Sequence, residues 1–169
     1  MFVLFTLAAA LAGGAESPSA LHHELSAALS GGEPWRLVDY VLPEDRAMIA
    51  VSFATMGSMT AIDPTAQAEL QAILDRYAVK ALPDAFTSAE FEAAVTVAYA
   101  DVVDYHGLSQ ELWAFLTAHG SSPGDVVLPK LRGAGSPAPY LKIDKQKLPL
   151  VLREGRWYID TPDPASAKG

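Results

Sequence analysis

The side chains best suited to proton transfer lie in one short stretch, residues 101–106. Asp101 and Asp104 are three positions apart, and Tyr105 and His106 follow directly. On a helix this spacing places both carboxylates on one flank, where repulsion between like charges favours retention of a proton on one of them. A carboxyl group in that state can act as a general acid or base. The pattern therefore allows an acid–base site in which Asp101 or Asp104 works with Tyr105 or His106.

The same stretch has two competing interpretations. It could be the exposed acidic end of a helix that pairs with arginines of a sheet, or it could begin a divalent metal site. The spacing of Asp101, Asp104 and His106 matches no established ligand motif, so we expect a structural role and no bound metal. His22 and His23 are a poor metal pair as well, because neighbours on a helix project in different directions.

Signatures of several common enzyme classes are absent from the sequence. It contains no phosphate-binding loop, no dinucleotide-binding fingerprint, no Gly-x-Ser-x-Gly motif and no His-Glu-x-x-His motif. The chain also has no cysteine, which excludes thiol catalysis, disulfide bonds and cysteine-based zinc sites. We therefore expect no cofactor, and we favour a protein without catalytic activity.

The first residues resemble a secretory signal peptide. An apolar run over residues 2–12 is followed by Gly13, Gly14 and Ala15, and small residues permit cleavage after Ala12 or Ala15. The sequence predicts a leader over residues 1–15 and export to the periplasm or the extracellular space. No Lys or Arg precedes the run, which departs from the usual signal-peptide pattern. The alternative interpretation of this run is a buried N-terminal strand or helix. No later segment is long and apolar enough to predict a membrane span in the mature chain.

Residues 16–120 carry the apolar spacing of helices, about five or six in number. Asp63, followed by proline, predicts the start of one helix. The capping box Thr87-x-x-Glu90 predicts another, which runs on to Gly107, and Ser109 is predicted to cap the next. A loop rich in proline and glycine follows over residues 121–139.

From residue 140 the apolar period changes to two, which predicts antiparallel strands over residues 140–161 and a polar tail over 162–169. The turn at Glu154-Gly155 aligns Leu152 with Trp157 and Leu150 with Ile159 on one apolar face. The sequence therefore predicts an α+β fold. It is a single domain over residues 16–169, in which an N-terminal helical block packs on a small C-terminal antiparallel sheet.

A space between the sheet and the helices could hold a ligand. Six apolar side chains would line it: Leu141, Ile143, Leu150, Leu152, Trp157 and Ile159. The partner expected there is a small apolar ligand or another protein. Nucleic acid is not expected as a partner, because the formal net charge is −8 and phosphate would be repelled.

The last two strands carry a family resemblance. The segment Leu150-Val-Leu-Arg-Glu-Gly-Arg-Trp-Tyr-Ile-Asp160 resembles the closing hairpin of exported bacterial domains of the nuclear-transport-factor-2-like or SnoaL-like family, and residues 68–79 are similar to helices of such proteins. The resemblance implies helices packed on a curved sheet, often around a pocket, with isomerase or cyclase activity in some members. It assigns no catalytic position, because only the hairpin and one helix match.

The combined prediction is an exported binding or interaction domain without catalytic activity. One alternative is an acid–base enzyme, similar to an isomerase or cyclase, that uses Asp101 or Asp104 on a small apolar substrate. Another alternative is a structural protein of the cell envelope.

Overall fold

The computed structural model describes residues 13–81, 88–120 and 127–161. The chain forms two compact units: residues 1–45 with 125–169, which contain the sheet, and residues 46–124, which are helical. The predicted α+β class is confirmed, with helices followed by a four-stranded antiparallel sheet near the C-terminus. No helix in the described ranges is long and apolar enough to cross a membrane.

The sheet unit begins with its own helices. Helix α1, Pro18–Ser30, starts where the Ser17 hydroxyl accepts a hydrogen bond of 3.1 Å from the Ala20 N–H, and it ends at Gly31. Its buried face includes Leu21 and Leu25. Two short 3-10 helices follow, Pro34–Asp39 and Pro43–Asp45. Helix α1 lies in the unit that contains the sheet, and the later helices lie in the other unit.

The sheet consists of β1 (Lys130–Arg132), β2 (Tyr140–Ile143), β3 (Gln146–Arg153) and β4 (Arg156–Ile159), in that spatial order. The predicted register of the last hairpin is confirmed, because Leu150 pairs with Ile159 and Leu152 with Trp157. The predicted loop over 121–139 is wrong in part, since β1 lies within it. Only three residues form this strand, and pairing with β2 stabilises it.

Strand β3 changes partners at its proline. Residues 146–149 pair with β2, whereas residues 150–153 pair with β4. Pro149 has no N–H to donate, but its carbonyl accepts a hydrogen bond of 2.9 Å from the Asp160 N–H. The middle strand thus tolerates a proline because Pro149 stands at the boundary between two pairings.

Two segments from the beginning of the chain pair with the outer edge of β4. Ala15 forms an antiparallel bridge with Trp157, and Val41 forms a parallel bridge with Ile159. The predicted leader, residues 1–15, lies outside the described residues except for Gly13, Gly14 and Ala15. The predicted tail over 162–169 also lies outside them.

The helical unit contains α2 (Arg46–Thr60), α3 (Pro64–Arg76), α4 (Ser88–Ala98) and α5 (Tyr105–Ala118). The predicted helix start at Asp63 is confirmed, because its carboxylate accepts hydrogen bonds of 2.9 and 3.0 Å from two backbone N–H groups. The core of this unit includes Leu70, Ile73, Val95, Leu108, Leu112, Phe115 and Leu116. Phe53 of α2 meets Trp113 of α5 edge to face, with ring centroids 6.0 Å apart.

The predicted boundaries of the last two helices are wrong. Helix α4 ends at Ala98 rather than at Gly107, and α5 begins at Tyr105, ahead of the predicted cap at Ser109. Ser109 lies inside α5 and is fully buried. The carbonyl of Ala98 accepts a hydrogen bond of 2.8 Å from the Lys80 N–H, which stabilises the end of α4. Thr87, the predicted cap of α4, lies outside the described residues.

Candidate functional site

The predicted acid–base residues lie in the turn between α4 and α5 and at the start of α5. Asp101 is exposed, and its Oδ2 atom lies 2.8 Å from the ammonium nitrogen of Lys80. The two aspartates do not share a helix flank, because α4 ends before both of them and α5 begins after both. The predicted pair of carboxylates on one helix flank, in which one would retain a proton, is therefore not formed.

Asp104 is the N-cap of helix α5. Its Oδ1 atom accepts a hydrogen bond of 2.8 Å from the Gly107 N–H. A helix running on to Gly107, as predicted, would place this carboxylate near the negative C-terminal end. It lies instead at the positive N-terminal end of α5, where negative charge is stabilised. Asp104 therefore has a structural role that needs no ligand.

Tyr105 and His106 occupy the first turn of α5. The Tyr105 hydroxyl donates a hydrogen bond of 3.0 Å to the Tyr99 carbonyl. Burial raises the pKa of Tyr105, although the positive charge of Arg46 opposes this shift. His106 is exposed. Asp101, Asp104 and Tyr105 thus each have a separate protein partner.

A second polar cluster lies nearby and was not predicted. The Tyr77 hydroxyl donates a hydrogen bond of 2.9 Å to Oε1 of Glu111, and the Arg76 guanidinium pairs with Oε2 of the same carboxylate. Burial, then the hydrogen bond and negative charge of Glu111, raise the pKa of Tyr77 to about 12. The phenol therefore keeps its proton at neutral pH and serves as a donor that joins the end of α3 to α5.

Gly107 lies beside this cluster and leaves space for it. A Cβ atom at position 107 would be 2.8 Å from the Tyr77 hydroxyl and would also collide with the Asp104 carboxylate. Glycine in the first turn of a helix normally weakens it, but here it permits the close approach of two polar side chains. The feature could not be read from spacing, because Tyr77 and Glu111 are 34 positions apart.

The helical unit also contains an open cleft of about 440 Å³, which we call the alanine groove. It is lined by Lys80, Ala81, Ala93, Ala94, Val97 and Ala98. Short apolar side chains form most of its wall, and Val97 is 65% exposed. Lys80, paired with Asp101, supplies a positive charge at this cleft. In the sequence, α4 shows alanines and a valine on one helix, a pattern that many helix surfaces share and that does not indicate a cleft.

The six side chains predicted to line a ligand space in the sheet unit have very different environments. Leu141, Leu150 and Ile159 are buried, Ile143 and Trp157 are half-buried, and Leu152 is 59% exposed. Leu152 shares a face with Leu150, but it lies next to the turn, beyond the covered part of the sheet. Tyr158, on the opposite face of β4, is buried. Both faces of β4 are therefore covered near its end, which the alternating pattern did not predict.

In the ranges 13–81, 88–120 and 127–161, no group of three or more His, Asp or Glu side chains is placed to hold a metal ion. No family model, curated protein or solved structure matches the chain. The resemblance of the last hairpin to nuclear-transport-factor-2-like domains therefore stays a prediction.

Proposed function

We propose that this chain is an exported binding domain without catalytic activity, and that the alanine groove binds a small apolar molecule with one negatively charged end. The observation that carries the proposal is the groove itself, an apolar cleft with a cation beside it. Its volume of about 440 Å³ falls within the range typical of small-molecule sites, about 300–1,000 Å³. The apolar leader supports the export part of the proposal.

The wall of the groove favours an apolar ligand. Ala93 and Ala94 have no side-chain atom beyond Cβ, so a ligand can approach the backbone of α4 closely. Val97 is exposed and would be removed from water by a bound molecule. Burial of apolar area stabilises binding by about 25 cal/mol per Å² before the costs of association are subtracted.

Lys80 favours a negative charge on the ligand. Its side chain is 57% exposed, and its present partner, Asp101, is 59% exposed. An ion pair this accessible contributes at most about 0–1 kcal/mol. A carboxylate or sulfonate held in the groove could therefore replace Asp101 at low cost.

The contacts of the acidic residues support binding rather than catalysis. Asp104 caps α5, and Asp101 pairs with Lys80. The Tyr105 hydroxyl donates a hydrogen bond to a backbone carbonyl. Each of these contacts stabilises local structure. None of them holds a carboxyl group in the desolvated setting that a general base needs at neutral pH.

Fluorescence titration with anilinonaphthalene sulfonate, an apolar probe with one negative charge, tests this function. We expect saturable binding at one site per chain. Ala94→Trp should abolish binding because the indole fills the groove, and Lys80→Gln should weaken binding by about 5- to 10-fold, equivalent to about 1 kcal/mol.

Asp101→Asn is the matched control for Lys80→Gln. Both variants lose the ion pair, but Asp101→Asn keeps the lysine and should bind the probe at least as tightly as the parent chain. Equal weakening by the two variants would contradict a role for the lysine charge. Binding that Ala94→Trp leaves unchanged would place the probe elsewhere and contradict the proposal.

A further inference from the structure

We infer that the leader is cleaved between Ala12 and Gly13, so that Gly13, Gly14 and Ala15 remain in the mature protein as part of its sheet unit. The inference rests on the proposed export and adds the position of the processing site. Both Ala12 and Ala15 satisfy the preference of leader peptidases for small residues. The contacts of residues 13–15 separate these two positions.

Ala15 is part of the sheet. It is 1% exposed, and it exchanges two backbone hydrogen bonds with Trp157: 2.9 Å from the Ala15 N–H and 2.7 Å from the Trp157 N–H. This reciprocal pair is the repeating unit of an antiparallel ladder. Cleavage after Ala15 would leave the outer edge of β4 unpaired at Trp157, and such an edge promotes association between chains.

Gly14 fits a position that only glycine can occupy. Its φ is +68°, and an added Cβ atom would lie 2.7 Å from the ring of Tyr158. Its N–H donates a hydrogen bond of 2.7 Å to the Asp39 carbonyl. If position 14 were removed with the leader, the folded protein would not require a residue without Cβ there.

The backbone carbonyls of Gly13 and Gly14 accept hydrogen bonds from the side chain of Arg156. The Arg156 guanidinium donates to the Gly13 carbonyl and, at 2.6 Å, to the Gly14 carbonyl. Arg156 lies directly across the hairpin from Arg153, which pairs instead with Glu44. Loss of residues 13–15 would remove these acceptors from a half-buried arginine that faces a second arginine, which is unfavourable.

Cleavage after Ala12 retains every one of these contacts. It also places Ala10 and Ala12 at the third and first positions before the cut, which is the small-x-small pattern that leader peptidases recognise. The sequence alone leaves the two sites open, since Gly13 and Ala15 have the same spacing. The fold distinguishes them because only one cut keeps the partners of Arg156 and Trp157.

Intact-mass analysis and N-terminal sequencing of the protein from its native host test the site. We expect a chain that begins at Gly13. A chain that begins at Glu16 would overturn this inference while leaving export intact. An unprocessed chain that begins at Met1 or Phe2 would overturn the proposed export, and the inference with it.

A comparison of two purified chains tests the structural reason. The chain beginning at Glu16 should fail to fold or should melt at least about 5 °C below the chain beginning at Gly13, because it loses the contacts of three residues. Gly14→Ala in the longer chain should also lower the melting temperature. Equal melting of all three proteins would show that residues 13–15 are dispensable and would overturn the inference.

Discussion

The phenolic oxygen of Tyr77 lies 2.9 Å from Oε1 of Glu111 and donates a hydrogen bond to it, although the two residues are 34 positions apart. The same carboxylate pairs with Arg76. The end of α3 is therefore fixed to the middle of α5 through one acidic side chain. Lys80, which lines the alanine groove, follows Tyr77 by three positions in the sequence.

Tyr77→Phe should destabilise the protein by about 1–2 kcal/mol, because it removes a half-exposed hydrogen bond to a charged acceptor, Glu111. The cost should be greatest at neutral pH. The pKa of the Tyr77 phenol is about 12 in the folded protein, whereas an unperturbed tyrosine has a pKa of 10.0. The stabilisation is thus fully present below pH 10 and is lost as pH rises through 12.

Urea denaturation at several pH values checks this prediction. The difference in unfolding free energy between the parent chain and Tyr77→Phe should narrow between pH 10 and about pH 12. A difference that stays constant across this range would contradict the assigned hydrogen bond.

Asp104→Ala should cost about 0.5–2 kcal/mol of unfolding free energy, because it removes the N-cap of α5. Asp104→Asn should retain most of the stability, since asparagine caps helices nearly as well. Asp101→Ala is the matched control and should cost at most about 1 kcal/mol, because its ion pair with Lys80 is exposed. Thermal and urea unfolding of the three variants distinguish a cap from a surface pair. An Asp104→Ala variant as stable as the parent would contradict the capping role.

Gly107→Ala should destabilise the protein by about 1–3 kcal/mol, although alanine is the better helix former. The reason is the collision of the new Cβ with the Tyr77 hydroxyl and the Asp104 carboxylate. Gly135→Ala is the control, because a Cβ atom there meets nothing within 4 Å. If Gly107→Ala unfolds at a higher urea concentration than the parent, the close approach at position 107 is wrong.

Leu150→Ala and Leu152→Ala should differ strongly even though both leucines lie on the same face of β3. Leu150 is buried, and its truncation should cost about 2–5 kcal/mol. Leu152 is exposed, and its truncation should change stability by less than about 0.5 kcal/mol. Similar losses from the two variants in denaturant unfolding would mean that the covered part of the sheet extends to the turn.

The hairpin register was predictable because Glu154-Gly155 fixes the turn and the apolar residues alternate on both sides of it. The burial of each strand position was not predictable, because the sheet is covered by segments that are distant in the sequence. Tyr158 is buried where Gly14 packs against its ring, and more than 140 residues separate the two in sequence.

The end of α4 was not predictable for a different reason. Val95, Ala98 and Val102 keep the helical spacing of apolar residues, and all three are buried, but the chain leaves the helix at Ala98. Val102 reaches the core from the turn instead. The shift of this boundary changed Asp104 from a predicted catalytic candidate at a helix C-terminus into an N-cap.

The alanine groove gave little sequence signal, because a groove depends on the absence of side-chain bulk. Alanine favours helix formation wherever it occurs, so its spacing on α4 predicts the helix but not a cleft. The positive charge at the cleft comes from Lys80, on a segment that precedes α4 and whose position is set by the turn after α3. Only the structure brings these features together.

Methyl chemical-shift mapping with decanoate, an apolar chain with one carboxylate, tests the central claim most directly. In protein labelled at alanine, valine, leucine and isoleucine methyl groups, we predict saturable shifts confined to Ala93, Ala94, Val97 and their neighbours in the groove. Shifts concentrated instead at Leu141, Leu150 and Ile159, or the absence of any saturable shift, would contradict the account.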